Sequence, residues 1–115
     1  MVIDHQRQRA RERYGVEVVG SDLAWMAALC RDGCGARIGI DPRRGYEQWI
    51  IRWAGREVAV VYERSRNHVV TLAPWAGREE FELRARARVT RHGQLLADGW
   101  RALAALVEGG AHGCA

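Results

Sequence analysis

Four short runs of β-branched and aromatic residues follow one another in the middle of the chain, and they constrain its fold more than any other feature. The runs are 36–40, 46–53, 57–63 and 68–73. The short segments between them contain Pro, Gly, Asp, Ser and Asn, the residues that favour turns. Connections this short join antiparallel strands. Pro74 ends the last run, because proline lacks the N–H that a sheet ladder needs. The pattern predicts an antiparallel meander of four strands.

Two helical patterns precede the predicted sheet. Residues 4–14 carry apolar side chains on one narrow stripe, and Gly15 supplies a residue that tolerates the left-handed turn after a helix. A second helix with a broad apolar face begins at the capping pair Ser21-Asp22 and ends at Gly33. Its broad apolar face indicates a core helix.

The last third of the chain allows two interpretations. Residues 80–90 alternate apolar and polar side chains as a strand does, yet most are strong helix formers, and we favour a helix. Residues 94–108 predict a further helix, and the glycine-rich tail 109–115 is expected to fray. The expected architecture is a single α+β domain over 1–115, with two N-terminal helices, a four-stranded sheet, a core at 4–75 and a mainly helical extension at 76–115.

The charge of the chain favours an anionic partner. Eighteen basic and fourteen acidic residues give a net charge of +4 and a pI of about 9.5. Every basic residue is an arginine, so phosphate contacts would come from planar, bidentate guanidinium groups. A GC-rich genome would give the same composition without any functional meaning.

The composition of the chain also indicates the cellular compartment in which it works. No apolar run is long enough to span a bilayer, and the first residues lack the apolar segment of a secretion signal. Three cysteines are an odd count, which we interpret as reduced thiols rather than a disulfide framework. We therefore expect a cytoplasmic protein that does not contact a membrane.

The first helix carries a candidate catalytic group. His5, Arg9 and Arg13 recur every four residues, so a helix places them on one side. Histidine exchanges protons near neutral pH, and two guanidinium groups beside it would hold a phosphate. The alternative is that these arginines only solvate a surface helix, paired with acids such as Glu12.

A second cationic group lies in the turn before the last strand. Arg64 and Arg66 are candidate phosphate ligands, and His68 is a second candidate acid or base. Thr71 follows in the strand as a candidate hydroxyl group. The alternatives are an ordinary exposed hairpin tip and a threonine that is there for its β-propensity.

Three segments together resemble the small toxins of the barnase–EndoU–colicin–RelE superfamily, in their phage and contact-toxin branches. The segments are His5-Gln-Arg-Gln-Arg-Ala-Arg-Glu-Arg-Tyr-Gly15, Gly55-Arg-Glu-Val-Ala-Val-Val-Tyr62 and Asn67-His-Val-Val-Thr-Leu-Ala-Pro74. The resemblance covers about residues 4–75. It implies a ribonuclease that needs no metal or other cofactor. In it His5 matches the helical histidine, Thr71 matches the hydroxyl residue of the terminal strand, and Arg9 and Arg13 supply cations.

A second hypothesis comes from a different class. The superfamily's sites often contain a lysine and this chain has none, which favours a catalytically inert interaction module, such as a phage-encoded inhibitor of a host defence or nucleic-acid-processing complex. The expected partners are accordingly RNA or such a complex, a cognate inhibitor or a host protein. A second copy of the chain is a further possible partner through the apolar stripe at 94–108.

The cysteines and tryptophans admit further readings. Cys30, Cys34, His112 and Cys114 have the ligand types of a structural zinc site, but their spacing is not that of a zinc knuckle, and we predict no metal. Of the five tryptophans, the positions of Trp25 and Trp100 fit helix core faces, and Trp49 and Trp53 share one face of a strand. An aromatic face beside arginines is typical both of base stacking and of a protein interface.

Overall fold

A computed structural model describes residues 2–87 and 94–95 of the chain. Two helices come first, α1 (Val2–Tyr14) and α2 (Gly20–Arg31). The strands β1 to β4 then follow in order, at Ala36–Asp41, Tyr46–Trp53, Arg56–Glu63 and His68–Ala73. A single 3-10 turn, Arg64–Arg66, joins β3 to β4. Helix α3 (Arg78–Ala87) and the short strand β5 (Gln94–Leu95) complete the described residues.

The sheet has the predicted antiparallel meander and one strand more. Its order is β4-β3-β2-β1-β5, so β4 forms one edge and β5 the other. Strand β5 pairs with β1 through Ile40 opposite Gln94 and Gly39 opposite Leu95. The α+β architecture is confirmed, but a helix that begins at Gln94 is wrong. A strand of two residues is too short to show a periodic pattern in the sequence. It is defined by its pairing with the backbone of β1. Residues 96–115 lie outside the described part of the chain.

The turn between β2 and β3 has two residues. Trp53 pairs with Arg56, and Ala54 and Gly55 between them have φ values of +53° and +78°. Two consecutive left-handed residues are the geometry that matches the twist of a tight hairpin. Glycine adopts it freely, whereas alanine adopts it at a cost.

The sheet buries side chains on both faces. On one face Trp49, Ile51 and Tyr62 pack with α1 and α2, where Met26 and Cys30 are fully buried. We call this side the two-helix face. The other face is smaller and is covered by α3 through Phe81, with Ile38, Ile50 and Ala59 beneath it. The predicted burial of Cys30 and the shared face of Trp49 and Trp53 are confirmed.

Trp25 is a correction. Its position on α2 predicts a core residue, but its side chain is 60% exposed. The helix turns Met26, Ala27 and Cys30 toward the sheet, and Trp25 falls outside that arc. A broad apolar face allows more than one direction of burial, and the packing against the sheet selects one.

The helical interpretation after the sheet is confirmed as far as Ala87. Alternation along 80–90 would place Phe81, Leu83 and Ala85 together on one side of a strand. In α3 Phe81 is buried and Leu83 is 61% exposed. Strong helix formers therefore prevail over an alternation that no sheet neighbour supports.

Candidate functional site

Helix α1 lies against β4, the edge strand of the sheet. Its side chains donate hydrogen bonds to backbone carbonyls of that strand: Gln6 Nε2 to Val69 O at 2.7 Å, Arg13 Nη1 to Leu72 O at 2.5 Å and Tyr14 Oη to Ala73 O at 2.6 Å. The carbonyls of Val69 and Leu72 would otherwise offer a pairing surface to another chain at this edge. The helix is thus held in a fixed position along the edge.

The same packing brings His5 to Thr71. The imidazole Nε2 of His5 lies 3.0 Å from Oγ1 of Thr71, across 66 positions of sequence, and the contact is on the surface. The structure therefore joins the two residues that the sequence predicted as one site. We call the line of His5, Arg9, Arg13 and Thr71 the α1–β4 seam.

A β-bulge in β4 places His68 near this pair. Val61 of β3 pairs with Thr71, but the next β3 residue, Tyr62, pairs with Val69, so Val70 is an extra residue in β4. His68 then pairs with Glu63.

The β3 partners of His68 and Thr71 are therefore Glu63 and Val61, which stand two positions apart on the same face of that strand. His68 and Thr71 share a face as a result, separated by about 7 Å along the sheet. Without the bulge, three residues of separation would place them on opposite faces.

The predicted arginines are divided among several partners. Arg9 donates to Glu12 at 2.7 Å, and hydrogen bonds from Gln8 and Arg9 lower the pKa of Glu12. Arg13 remains in the seam with part of its guanidinium committed to Leu72. Arg66 lies 3.8 Å from Glu63. Arg9 and Arg66 were predicted to bind phosphate. In the structure each of them already lies near a carboxylate that would compete with a phosphate.

Arg64 belongs to a different surface. It makes two hydrogen bonds to Glu47 on β2, at 2.8 and 3.0 Å, and its guanidinium lies 5.4 Å from the centre of the Tyr62 ring. Burial opposes the ionisation of Glu47, but hydrogen bonds from Arg64 and Trp49 outweigh it and lower the pKa of that carboxyl. These contacts lie on β2 and β3 rather than on α1, so Arg64 does not join the seam.

Gln6 is the residue that sequence reasoning missed. It is 1% exposed, and its Oε1 is buried without a hydrogen-bond partner among the described residues. Gln6, Ala10 and Tyr14 recur every four residues, and all three are buried. A polar residue on the apolar stripe of α1 is the signal by which the sequence would have revealed it.

The metal candidates fare differently. Cys30 is a free, fully buried thiol, and burial together with the nearby Glu47 charge raises its pKa to about 12. Cys34 is disulfide-bonded, so the expectation of reduced thiols is wrong for this residue, and it is not available as a zinc ligand. Within residues 2–87 and 94–95 no three or more His, Cys, Asp and Glu side chains form a cluster that would hold a metal ion. His112 and Cys114 lie outside the described residues.

Over the same residues, none of the helices combines the length and apolarity that crossing a bilayer requires. Comparisons of the chain with protein-family models, with curated proteins and with solved structures gave no match.

Proposed function

We propose that the chain binds RNA and cleaves it without a metal ion at the α1–β4 seam. The observation that carries this proposal is the 3.0 Å contact between His5 Nε2 and Thr71 Oγ1 on an exposed surface. A histidine that is both open to solvent and oriented by a hydroxyl group has the arrangement of a general acid or base. Arg13, whose guanidinium donates to the next strand residue at Leu72 O, supplies a permanent positive charge for a phosphate.

The proposed reaction is an internal transfer at phosphorus. The tautomer of His5 that donates Nε2–H to Thr71 leaves Nδ1 as an acceptor, and this nitrogen takes the proton of the RNA 2′-hydroxyl. The 2′-oxygen then bonds to phosphorus while the bond from phosphorus to the 5′-oxygen breaks. His68, protonated, gives a proton to the departing 5′-oxygen. The products are a 2′,3′-cyclic phosphate and a free 5′-hydroxyl, and Arg13 balances the added charge on phosphorus.

The likeness to the barnase–EndoU–colicin–RelE superfamily is part of this proposal. It is supported by two helices followed by an antiparallel sheet, and by a helical histidine beside a hydroxyl residue of the last meander strand. Arg13 takes the place of the lysine that those sites often contain.

We also propose a cytoplasmic location. The disulfide at Cys34 is the observation against it, because disulfides are rare in a reducing cytosol.

The test is RNA cleavage in EDTA by the purified protein and matched variants. We expect His5→Ala and His5→Gln to lower the cleavage rate by about 10²- to 10⁴-fold, the usual contribution of a general acid or base. Thr71→Val should lower it about tenfold, since it removes one orienting hydrogen bond, whereas Thr71→Ser should retain activity. Ser21→Ala, an exposed change on α2 rather than on the seam, is the control.

Two results would contradict the proposal. One is intact RNA with folded wild-type protein, and the other is cleavage that persists unchanged in His5→Ala. Either would favour the second candidate, an inert module that binds a host protein, a nucleic-acid-processing complex or a second copy of the chain. That candidate is supported by Trp25, 60% exposed, close in sequence to Val19, 50% exposed, and by arginines whose charge is already balanced by neighbouring carboxylates.

A further inference from the structure

A cavity of about 310 Å³ lies between α1, the first half of α2 and the start of β4. Its α2 wall has no charged side chain and consists of Gly20, Leu23, Ala24 and Ala27. Asn67 and His68 line it from the strand side. The volume is at the lower end of the range for small-molecule sites, which suits a single ring system and not an extended ligand.

Gln6 lines this cavity, and its side-chain amide has an unsatisfied acceptor. Its Nε2 donates to Val69 O at 2.7 Å, and because a carbonyl only accepts, this bond fixes which end of the amide is which. Oε1 is then the atom left over, buried and without a partner among the described residues. A buried acceptor in that state is satisfied by an ordered water or by a donor from a ligand.

We propose that the cavity binds a nucleobase that carries an exocyclic amino group, and that the amino group donates to Gln6 Oε1. This inference rests on the proposed function, and it names the part of the RNA that the protein recognises. None of the described residues that line the cavity is an arginine, aspartate or glutamate, so the site suits a neutral base and not a phosphate. The apolar α2 wall provides a surface for the face of the ring.

The position of the cavity fits one nucleotide. Gln6 contacts β4 at Val69, and His5 contacts it at Thr71, two residues further along. This separation is at most about 7 Å along the strand. A base held at Gln6 is therefore close enough to the seam for its own or the adjacent phosphate to reach His5.

The experiment compares two ligands that differ only in the amino group. Adenosine 5′-monophosphate and purine riboside 5′-monophosphate are titrated into the full chain, and backbone amide shifts are followed by NMR. We expect saturable shifts at Leu23, Ala27 and His68 with the first ligand. The second should bind about 3- to 10-fold more weakly, the loss expected for one hydrogen bond.

Two leucine substitutions on α2 provide the matched control. Ala24→Leu adds bulk at the cavity and should weaken binding of adenosine 5′-monophosphate about tenfold or more. Ser21→Leu adds a comparable side chain on the same helix at a position that does not line the cavity, and it should bind as the wild type does. Gln6→Met should remove the preference between the two ligands, with thermal unfolding measured in parallel to confirm that the variant folds.

Equal affinity for the two ligands, unchanged binding in Ala24→Leu, or no saturable shift would each overturn the inference. The last result would mean that water alone satisfies Gln6 Oε1. Binding should persist in His5→Ala, because His5 does not line the cavity. RNA cleavage without nucleotide binding would thus refute the base site alone. Nucleotide binding without cleavage would refute the ribonuclease alone.

Discussion

The hydroxyl group of Tyr14 is inserted between two paired strands, and its removal tests how α1 is fixed to the sheet. Ala59 of β3 and Ala73 of β4 are register partners. The Tyr14 hydroxyl accepts a hydrogen bond from Ala59 N at 2.9 Å and donates one to Ala73 O at 2.6 Å. One oxygen atom therefore bridges the strands where a direct backbone hydrogen bond would otherwise form.

Tyr14→Phe removes this bridge and leaves the ring in place. The Ala59 N–H is buried, and an unsatisfied buried donor costs about 1–3 kcal/mol. The Ala73 carbonyl is only partly buried and regains part of its hydrogen bonding from water. We expect the free energy of unfolding to fall by about 2 kcal/mol, which for a domain of this size corresponds to a Tm lower by about 10 °C.

Urea denaturation followed by tryptophan fluorescence, together with a thermal scan, measures this loss. Tyr46→Phe is the matched control, because the Tyr46 hydroxyl has no hydrogen bond within the part of the chain that the structure describes. A change below about 0.5 kcal/mol in Tyr14→Phe would refute the reasoning, since it would mean that the strands close directly when the hydroxyl is absent.

Two further predictions concern stability. Ala54→Asn should raise the free energy of unfolding by about 0.5–1 kcal/mol, because asparagine tolerates the left-handed conformation that Ala54 adopts at φ +53°. Urea denaturation measures this change, and Ala76→Asn is the control at an exposed site with an ordinary backbone conformation. An equal effect of the two substitutions would contradict the prediction. Glu57 should contribute stability that acid removes: burial opposes its ionisation, but hydrogen bonds from Arg78 and Trp75 outweigh burial and lower its pKa below the ordinary 4.5. Its contribution to stability is then full above the unfolded-state pKa and is lost as pH falls through the lower folded-state pKa. The difference in the free energy of unfolding between wild type and Glu57→Gln should therefore shrink over that interval. A difference that does not depend on pH would refute this prediction.

Local pattern accounts for most of the fold. The four meander strands lie within a residue of their predicted bounds, because period-two apolar patterning and turn residues act between neighbours in sequence. The helix after the sheet follows its intrinsic propensity as far as Ala87. The two-residue strand β5 was not predicted, because it is defined by its pairing with β1 and not by a pattern in its own residues.

The candidate site was predicted in its residues but not in its arrangement. The four-residue spacing of His5, Arg9 and Arg13 determines that one side of α1 carries them. The pairing of Arg9 with Glu12 is local, because the two residues lie three positions apart on the same helix, whereas Glu47 of β2 is brought to Arg64 only by folding. Spacing alone does not reveal such partners, because ion pairs between distant segments depend on the packed geometry.

The sequence by itself determined an α+β meander with a histidine on its first helix and a hydroxyl residue on the last strand of the meander. Only the tertiary structure decided that His5 reaches Thr71, and that an extra residue in β4 places His68 on the same face. It also decided that Gln6 is buried, that it lines a cavity and that one of its acceptors is unsatisfied. The physical reason is that periodicity specifies which side of an element a residue occupies, whereas contacts across elements depend on register, and a single bulge changes the register without changing the pattern.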